Sequence, residues 1–281
     1  MDHVIDIKGL TVRYGFFTAV DTIDLTVSQG EVFGFLGPNG AGKTTTIRVL
    51  LNLLQASAGK VFVLGEDVAR GQAQLRSRMG FLPGDLNLFP GLTGRETLTF
   101  FTGLQGRAPA SRDAVLDCLG FPRNALNRKL RSYSTGMRQM IGITAAFQHD
   151  PEVLVLDEPT TGLDPLVRDA FLGMLQEVAE RGTTVFLSSH VLSEVETAAD
   201  RVGVIDEGGL LLVESIEAMK KDRPRRVVLK YSGGREIHLE HTGTPAELLS
   251  ELDTEGLVDL EIRPTGLDDV VRAVLGKEAT H

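Results

Sequence analysis

The sequence predicts an α/β fold: a mainly parallel sheet with helices on its faces, an antiparallel β subdomain at the start, a helical insertion, and a small C-terminal α+β appendage. Three observations predict it. Apolar strand-like runs alternate with an amphipathic segment between residues 152 and 208, the pattern of strands and crossover helices. In "EVFGFLGPNGAGKTTT" (31–46) a continuous apolar run leads through a glycine-rich loop into a helix-like segment. The periodicity also changes twice, near residue 74 and near residue 215.

The elements follow in order. "HVIDIKGLTVRYG" (3–15) and "IDLTV" (23–27) alternate apolar with polar residues, as half-buried strands do. A turn at Ser28–Gly30 leads into the run ending at Gly37, apolar on both faces and therefore a central strand. Ile47, Leu50, Leu51 and Leu54 have helical spacing over 43–54, with Gly59 beyond the end. "GKVFVLGEDV" (59–68) reads as another hairpin strand. From Gln74 to Phe147, three segments of helical periodicity with little strand signal between them predict a helical subdomain over about 74–147. Strands return as "EVLVLDEP", "TTVFLSSH" and "RVGVIDEG", separated by the amphipathic "PLVRDAFLGMLQEVAERG".

A first domain over 1–214 and a second over 215–281 are expected. In the second, "RVVLKY", "EIHLEH", "PAELLSELDTEG", "LVDLEIRP" and "LDDVVRAVLG" read as strand, strand, helix, strand, helix. The basic stretch Lys220–Lys230, broken by Pro224, lacks the interleaved aromatics of a base-stacking surface and reads as a solvated linker rather than an anionic-lipid contact. His238 and His241, three apart in a strand, point to opposite faces, which argues against a metal site.

Composition narrows the partners. Acidic residues number 38 against 29 basic, for a net charge of −9, which argues against a general nucleic-acid binder. The single cysteine, Cys118, excludes an internal disulfide and fits a reducing cytosol. "MDHVIDIKGL" carries an early acid and no apolar core, unlike a secretory signal. No run approaches the roughly 18 apolar residues that span a bilayer, so action at a membrane requires a partner that supplies the spanning helices.

The chemistry lies in two motifs. Gly37, Pro38, Asn39, Gly40, Ala41, Gly42, Lys43 and Thr44 fit G-x-x-x-x-G-K-[ST] between a strand and a helix. Glycines let backbone N–H groups face phosphates, and the helix N-terminus adds its partial positive charge. Lys43 then reaches the β- and γ-phosphates, the Thr44 hydroxyl ligates Mg²⁺, and Thr45 adds a phosphate contact. "VLVLDEP" (153–159) ends a strand in two carboxylates: Asp157 for Mg²⁺, Glu158 as general base toward the attacking water. Kinases, GTPases and ATPases share the first motif; no N-K-x-D stretch reads guanine here, which weakens the GTPase reading.

"YSTGMRQM" (133–140), "LDEPTTGLDP" (156–165) and "LSSHVLSEVE" (187–196) follow the phosphate loop in that order. Together they resemble the ATP-binding-cassette (ABC) ATPases over roughly residues 3–214. The resemblance implies a P-loop NTPase fold, ATP and Mg²⁺ as ligands, and Mg-dependent hydrolysis in a head-to-tail dimer holding two ATP molecules between subunits. It implies that Ser134 and Gly136 face the other copy's γ-phosphate, that His190 contacts γ-phosphate and water, that Asp164 joins the two sites, and that Tyr14 stacks on adenine. A lone histidine and a strand aromatic are each common structural residues, so His190 and Tyr14 rest on the resemblance.

Two features depart from the family pattern. The signature, usually L-S-G-G-Q, is Tyr133-Ser-Thr-Gly-Met here, with serine and second glycine kept and glutamine absent. Where a glutamine or glutamate usually follows "x-x-P", this chain has Gly84 and then Asp85. Asp85 either takes over the Mg²⁺ or water contact one position later or is a solvated turn residue.

The YS-x-GM signature, "LPGDLNLFPGLTGRE" and the C-terminal extension resemble the prokaryotic export branch. That implies a peripheral subunit at the cytoplasmic face of the cell membrane, serving a separate integral-membrane permease that extrudes drugs or other hydrophobic compounds, with no nucleic acid bound. The alternative is a soluble cassette ATPase acting on ribosomes or DNA; the single cassette, the lack of sustained heptads and the acidic balance weigh against it. A module that binds ATP mainly for regulation is a third possibility, which Glu158 and His190 oppose.

Overall fold

The computed structural model describes residues 3–264 apart from 72, 222–224, 242 and 253–254. The expected last helix, "LDDVVRAVLG" (267–276), lies outside the described residues. The chain divides into two compact units, Met1–Val213 and Glu214–His281.

In the first unit, β1 (His3–Tyr14) and β2 (Phe17–Ser28) are followed by β3 (Val32–Leu36) and α1 (Lys43–Leu50). β4 (Ala58–Val63), β5 (Glu66–Asp67) and the short α2 (Ala73–Ser77) lead to β6 (Met79–Leu82). Helices α3 (Gly94–Gln105), α4 (Arg112–Cys118) and α5 (Thr135–Phe147) come next. Then β7 (Val153–Asp157), α6 (Pro165–Glu180), β8 (Thr184–Ser189), α7 (Leu192–Ala198), β9 (Arg201–Asp206) and β10 (Gly209–Ser215) alternate.

Two sheets result. The antiparallel one has the order β2-β1-β4-β5. Its alternating sequence sends Ile5, Ile7, Leu10 and Val12 inward opposite Val27, Leu25, Ile23 and Val20, all of them buried. The second sheet has the order β10-β9-β3-β8-β7-β6, and its neighbours from β9 to β6 all pair parallel. Every residue of β3, β7 and β8 is buried, as a strand covered on both faces requires. Period-two alternation splits their side chains between two apolar clusters: Phe33, Phe35, Val153, Val155 and Phe186 enter one, Val32, Leu154, Leu156, Val185 and Leu187 the other.

Parallel pairing has one consequence that governs the rest. The carboxyl ends of β3, β8, β7 and β6 come out on one edge, in register at Leu36↔Ser189, Ser188↔Asp157 and Leu156↔Leu82. Open α/β sheets bind ligands beyond that edge.

The structure corrects three expectations. Met79–Leu82, inside the stretch expected to be helical, is the edge strand β6; four residues are too short to show a period, and pairing with β7 makes the strand. α1 ends at Leu50 rather than Leu54, because Asn52 turns to a left-handed φ of 52°. The basic stretch is not a linker: it ends α8 (Ile216–Lys221) and opens β11 (Arg225–Tyr231), with 222–224 outside the described residues.

The second unit continues with β12 (Glu236–His241), α9 (Pro245–Glu251) and β13 (Leu257–Pro264). Its antiparallel sheet has the order β12-β11-β13, with Val227, Leu229 and the α9 residue Leu248 as the buried centre. Strand alternation places Arg226 opposite Glu240 and Lys230 opposite both Glu236 and Asp259.

Candidate active site

The glycine-rich loop joins β3 to α1. Gly42 caps α1 at φ 110°, a conformation L side chains rarely adopt, and a Cβ there would sit 2.6 Å from the Ala19 carbonyl oxygen. The first turn of α1 has no side-chain cap and no acidic residue, so its amides and its dipole favour an anion. Lys43, 5% exposed, donates from Nζ to the carbonyl oxygens of Gly37 at 2.6 Å and Pro38 at 3.1 Å. The same Nζ lies 3.4 Å from Glu158 Oε1. Thr45 is half-buried in the first turn of α1.

β7 delivers the two carboxylates, and the backbone sends them to different partners. Asp157 is buried, accepting from Thr44 Oγ1 at 2.9 Å and from Ser188 Oγ at 2.6 Å. A hydroxyl beside a carboxylate is a hard oxygen donor pair of the kind Mg²⁺ takes, with phosphate and water oxygens completing its octahedron. Glu158 has a left-handed φ of 48°, which costs about 1–2 kcal/mol for a residue with a Cβ. Its N–H is held there by the Ser188 carbonyl at 3.2 Å and the Ser188 hydroxyl at 3.1 Å. The bend leaves Glu158 Oε2 2.5 Å from His190 Nδ1, while the buried Oε1 has no hydrogen-bond partner.

One cleft of about 620 Å³ collects Asn39 and Thr44 from the loop, Gly84 and Asp85 after β6, Asp157 and Glu158 after β7, and His190 after β8. Asp85 is therefore at the same cleft as the phosphate loop. Tyr14 does not line it. The tyrosine stands 47% exposed at the end of the β1–β2 hairpin, whose Ala19 and Val20 abut Gly42.

Ser134, Gly136 and Asp164 line another cleft, of about 330 Å³, which shares no residue with the first. Ser134 caps α5, accepting from Met137 N at 3.1 Å, and Asp164 caps α6, accepting from Val167 N at 3.0 Å. Gly136 lets the two helix starts meet: a Cβ there would be 2.8 Å from the Gly162 carbonyl oxygen.

A family model described as ABC transporter matches residues 20–161. The bacitracin transport ATP-binding protein BcrA of Bacillus licheniformis is 38% identical over 223 residues, covering 79% of this chain and 72% of that protein. The chain belongs to the ABC transporter family. Daunorubicin resistance ATP-binding protein DrrA3 of Streptomyces coeruleorubidus is 39% identical over 225 residues, 79% of this chain and 71% of that one. A solved structure described as the ATP binding subunit of an ABC transporter superposes with a TM-score of 0.72 at 26% identity, covering 77% of this chain and 92% of its own. The chain is an ABC ATPase with the P-loop NTPase fold, and it binds and hydrolyses ATP.

Within this ABC ATPase, two residues of the site region escaped sequence reasoning. Ser188 holds both Asp157 and the Glu158 backbone; the one signal was a pair of hydroxyls before His190 in "LSSH", and only the β7–β8 register shows which of them faces Asp157. Gln139, buried in α5, donates from Nε2 to the Pro159 carbonyl at 2.7 Å and so ties the signature helix to the segment after Glu158.

Proposed function

We propose that this ABC ATPase is the motor subunit of an exporter, powering efflux of drugs or other hydrophobic compounds through a separate integral-membrane permease. It works as a homodimer, peripheral at the cytoplasmic face of the cell membrane. The observation that carries the reading is the convergence of Thr44, Asp157, Glu158 and His190 on one cleft, with Lys43 in contact with Glu158 behind them and with Ser134, Gly136 and Asp164 on a separate cleft of the same chain. A second copy, turned head to tail, brings the signature residues to the first copy's triphosphate.

In this reading the loop amides of Gly37–Thr45 bind the phosphates, Lys43 turns to the β- and γ-phosphates, and Tyr14 stacks on adenine. Thr44 and Asp157 would hold Mg²⁺, which would neutralise phosphate charge when bound, and Asp85 lines the same cleft. His190 Nδ1–H fixes one oxygen of Glu158, and the other, Oε1, released by Lys43 as the lysine turns to the phosphates, takes a proton from water as the water oxygen bonds to the γ-phosphorus. The β–γ bridging bond breaks and ADP leaves with the electron pair. Ser134 and Gly136 of the second copy stabilise the transferring phosphoryl group.

Transport by the bacitracin protein and resistance conferred with the daunorubicin protein favour export. A surface for the permease follows Asp85 directly: Phe89, Phe100 and Leu104 are 56%, 42% and 68% exposed, and the two rings meet edge to face at 5.6 Å. Exposed apolar patches of this kind mark protein contacts. No helix among the described residues is long and apolar enough to cross a membrane, so the permease supplies the span.

Mixing two inactive variants tests the shared site. Ser134→Ala and Lys43→Ala copies together form one intact composite site per mixed dimer, so ATPase activity should reappear on mixing; activity no greater than the sum of the two alone rules out the dimer. Fractionation tests export: the chain should co-purify with membranes and a polytopic protein, and recovery with ribosomes or DNA instead overturns it.

A further inference from the structure

β8 ends in two buried hydroxyls, and strand alternation sends them in opposite directions. Ser188 goes to Asp157. Ser189 goes to Glu194, a buried carboxylate in the first turn of α7 that the hydrolytic step described above does not use.

Ser189 Oγ donates to Glu194 Oε2 at 2.8 Å and accepts from the Val191 N–H at 3.0 Å. The relay closes a turn of chain around His190, whose neighbour on one side supplies the hydroxyl and on the other the amide. Val191 starts α7 without a side-chain cap of its own. Glu194, at the third helical position, reaches back through the Ser189 hydroxyl as the acid of a capping box reaches back directly.

Both ends of the relay are anchored to β3, the strand that carries the phosphate loop. The Ser189 carbonyl accepts from the Gly37 N–H at 3.4 Å, one residue beyond the Leu36↔Ser189 pairing. α7 is seated by the buried Val195: a Cβ on Gly34 of β3 would lie 2.3 Å from Val195 Cγ1. The carboxylate is therefore carried by a helix packed on the strand that leads into the loop.

The histidine needs that support. Its side chain is 53% exposed, and among the described residues its ring bonds to Glu158 alone. Packing does not hold the ring, so the backbone from Ser189 to Val191 decides whether Nδ1 reaches the Glu158 carboxylate. Burying a carboxylate also carries a desolvation cost that an apolar residue at position 194 would avoid, which argues for a role beyond filling space.

We infer that Glu194 is a positioning residue for ATP hydrolysis. Its carboxylate orients the Ser189 hydroxyl, that hydroxyl holds the Val191 amide, and the turn so formed presents His190 to Glu158. The inference rests on the reading of Glu158 as the base and His190 as its partner.

Single-turnover hydrolysis, in which slow residual activity remains countable, and equilibrium ATP binding test it on the full-length chain. Glu194→Ala should slow hydrolysis about tenfold, the worth of one buried hydrogen bond, with ATP affinity within about twofold of the parent. Glu194→Gln keeps an oxygen for the Ser189 hydroxyl and should restore the rate to within about threefold of the parent. The deciding measurement is made without the histidine. Adding Glu194→Ala to His190→Ala should slow the remaining hydrolysis by less than about twofold, because no ring is left to place. Ser189→Ala removes the donor at a smaller change in volume and should behave the same way in both backgrounds, which covers a Glu194→Ala chain that fails to fold. Equal losses with and without His190, unchanged rates in both Glu194→Ala and Ser189→Ala, or a Glu194→Gln chain as slow as Glu194→Ala each overturns the inference. Parental turnover in His190→Ala would instead strike the catalytic reading on which it rests.

Discussion

The Thr44 cleft and the Ser134 cleft belong to one chain but are built on opposite plans. In the first, charged and hydroxyl groups satisfy one another across three strand ends, those of β3, β7 and β8: Lys43 with Glu158, Glu158 with His190, Thr44 and Ser188 with Asp157. In the second, polar groups satisfy only their own helices, Ser134 capping α5 and Asp164 capping α6, between apolar neighbours such as Met140 and Leu163. The first contains a carboxylate–imidazole pair with a lysine beside it; the one carboxylate of the second, Asp164, is committed to capping α6 and meets neither a histidine nor a lysine there. In the proposed reading the first cleft carries out chemistry on a bound phosphate and the second completes the site of another copy.

The sharpest way to break this contrast is Glu158→Gln. Removing the base should lower kcat by about 10²–10⁴-fold while ATP binding persists, checked by phosphate release and equilibrium binding. Turnover within threefold of the parent would take Glu158 out of the chemistry. Lys43→Ala should weaken ATP binding on the order of 10²-fold, since a buried cation–anion contact is worth about 2–5 kcal/mol when one partner is truncated; nucleotide affinity kept intact would refute the loop assignment. Ser188→Ala removes a bond to Asp157 and one to the strained Glu158 backbone, so turnover should fall roughly tenfold, at about 1.4 kcal/mol per factor of ten. A Ser188→Ala enzyme with unchanged kcat would show that the bend at Glu158 holds without it.

Ser134→Ala sharpens the other side. Beyond its effect in a dimer, the isolated chain should lose about 1 kcal/mol from the missing α5 cap, read by denaturant unfolding; no change in midpoint would mean the hydroxyl does not cap in solution. The smallest effect is expected from a residue in neither cleft. Burial holds the His149 imidazole below its ordinary value of 6.5, its bond to the Met79 carbonyl and Asp150 acting against burial and Arg107 with it. Below about pH 6.5 the unfolded chain takes up a proton that the folded chain refuses, so stability falls as pH drops toward the depressed folded value and is flat above. Thermal midpoints from about pH 7.5 to about 5.5 should decline less steeply in His149→Gln than in the parent; parallel slopes would sink the assignment.

Much of this contrast was legible in the residues. The first cleft's loop and carboxylates announce themselves because each follows an apolar strand, and a phosphate cradle needs glycine, lysine and hydroxyl at a fixed spacing. Asp85 was harder, because the strand that carries it to the site, Met79–Leu82, is too short to leave a periodic trace. Ser188 was invisible as a partner of Asp157, because nothing in "LSSH" says which hydroxyl faces β7.

By itself the sequence determined the chemistry on offer: a loop that only glycines let wrap an anion, two carboxylates at a strand end, a helix begun by serine. These follow from local backbone rules and side-chain type, which neighbours in the chain set. The tertiary structure alone decided which groups meet. Parallel pairing of β3, β8, β7 and β6 puts four strand ends on one edge, turns Glu158 from Asp157's direction toward His190 and Lys43, and leaves Ser134 at another cleft. Register between strands more than 30 residues apart is a property of packing, and no local pattern encodes it.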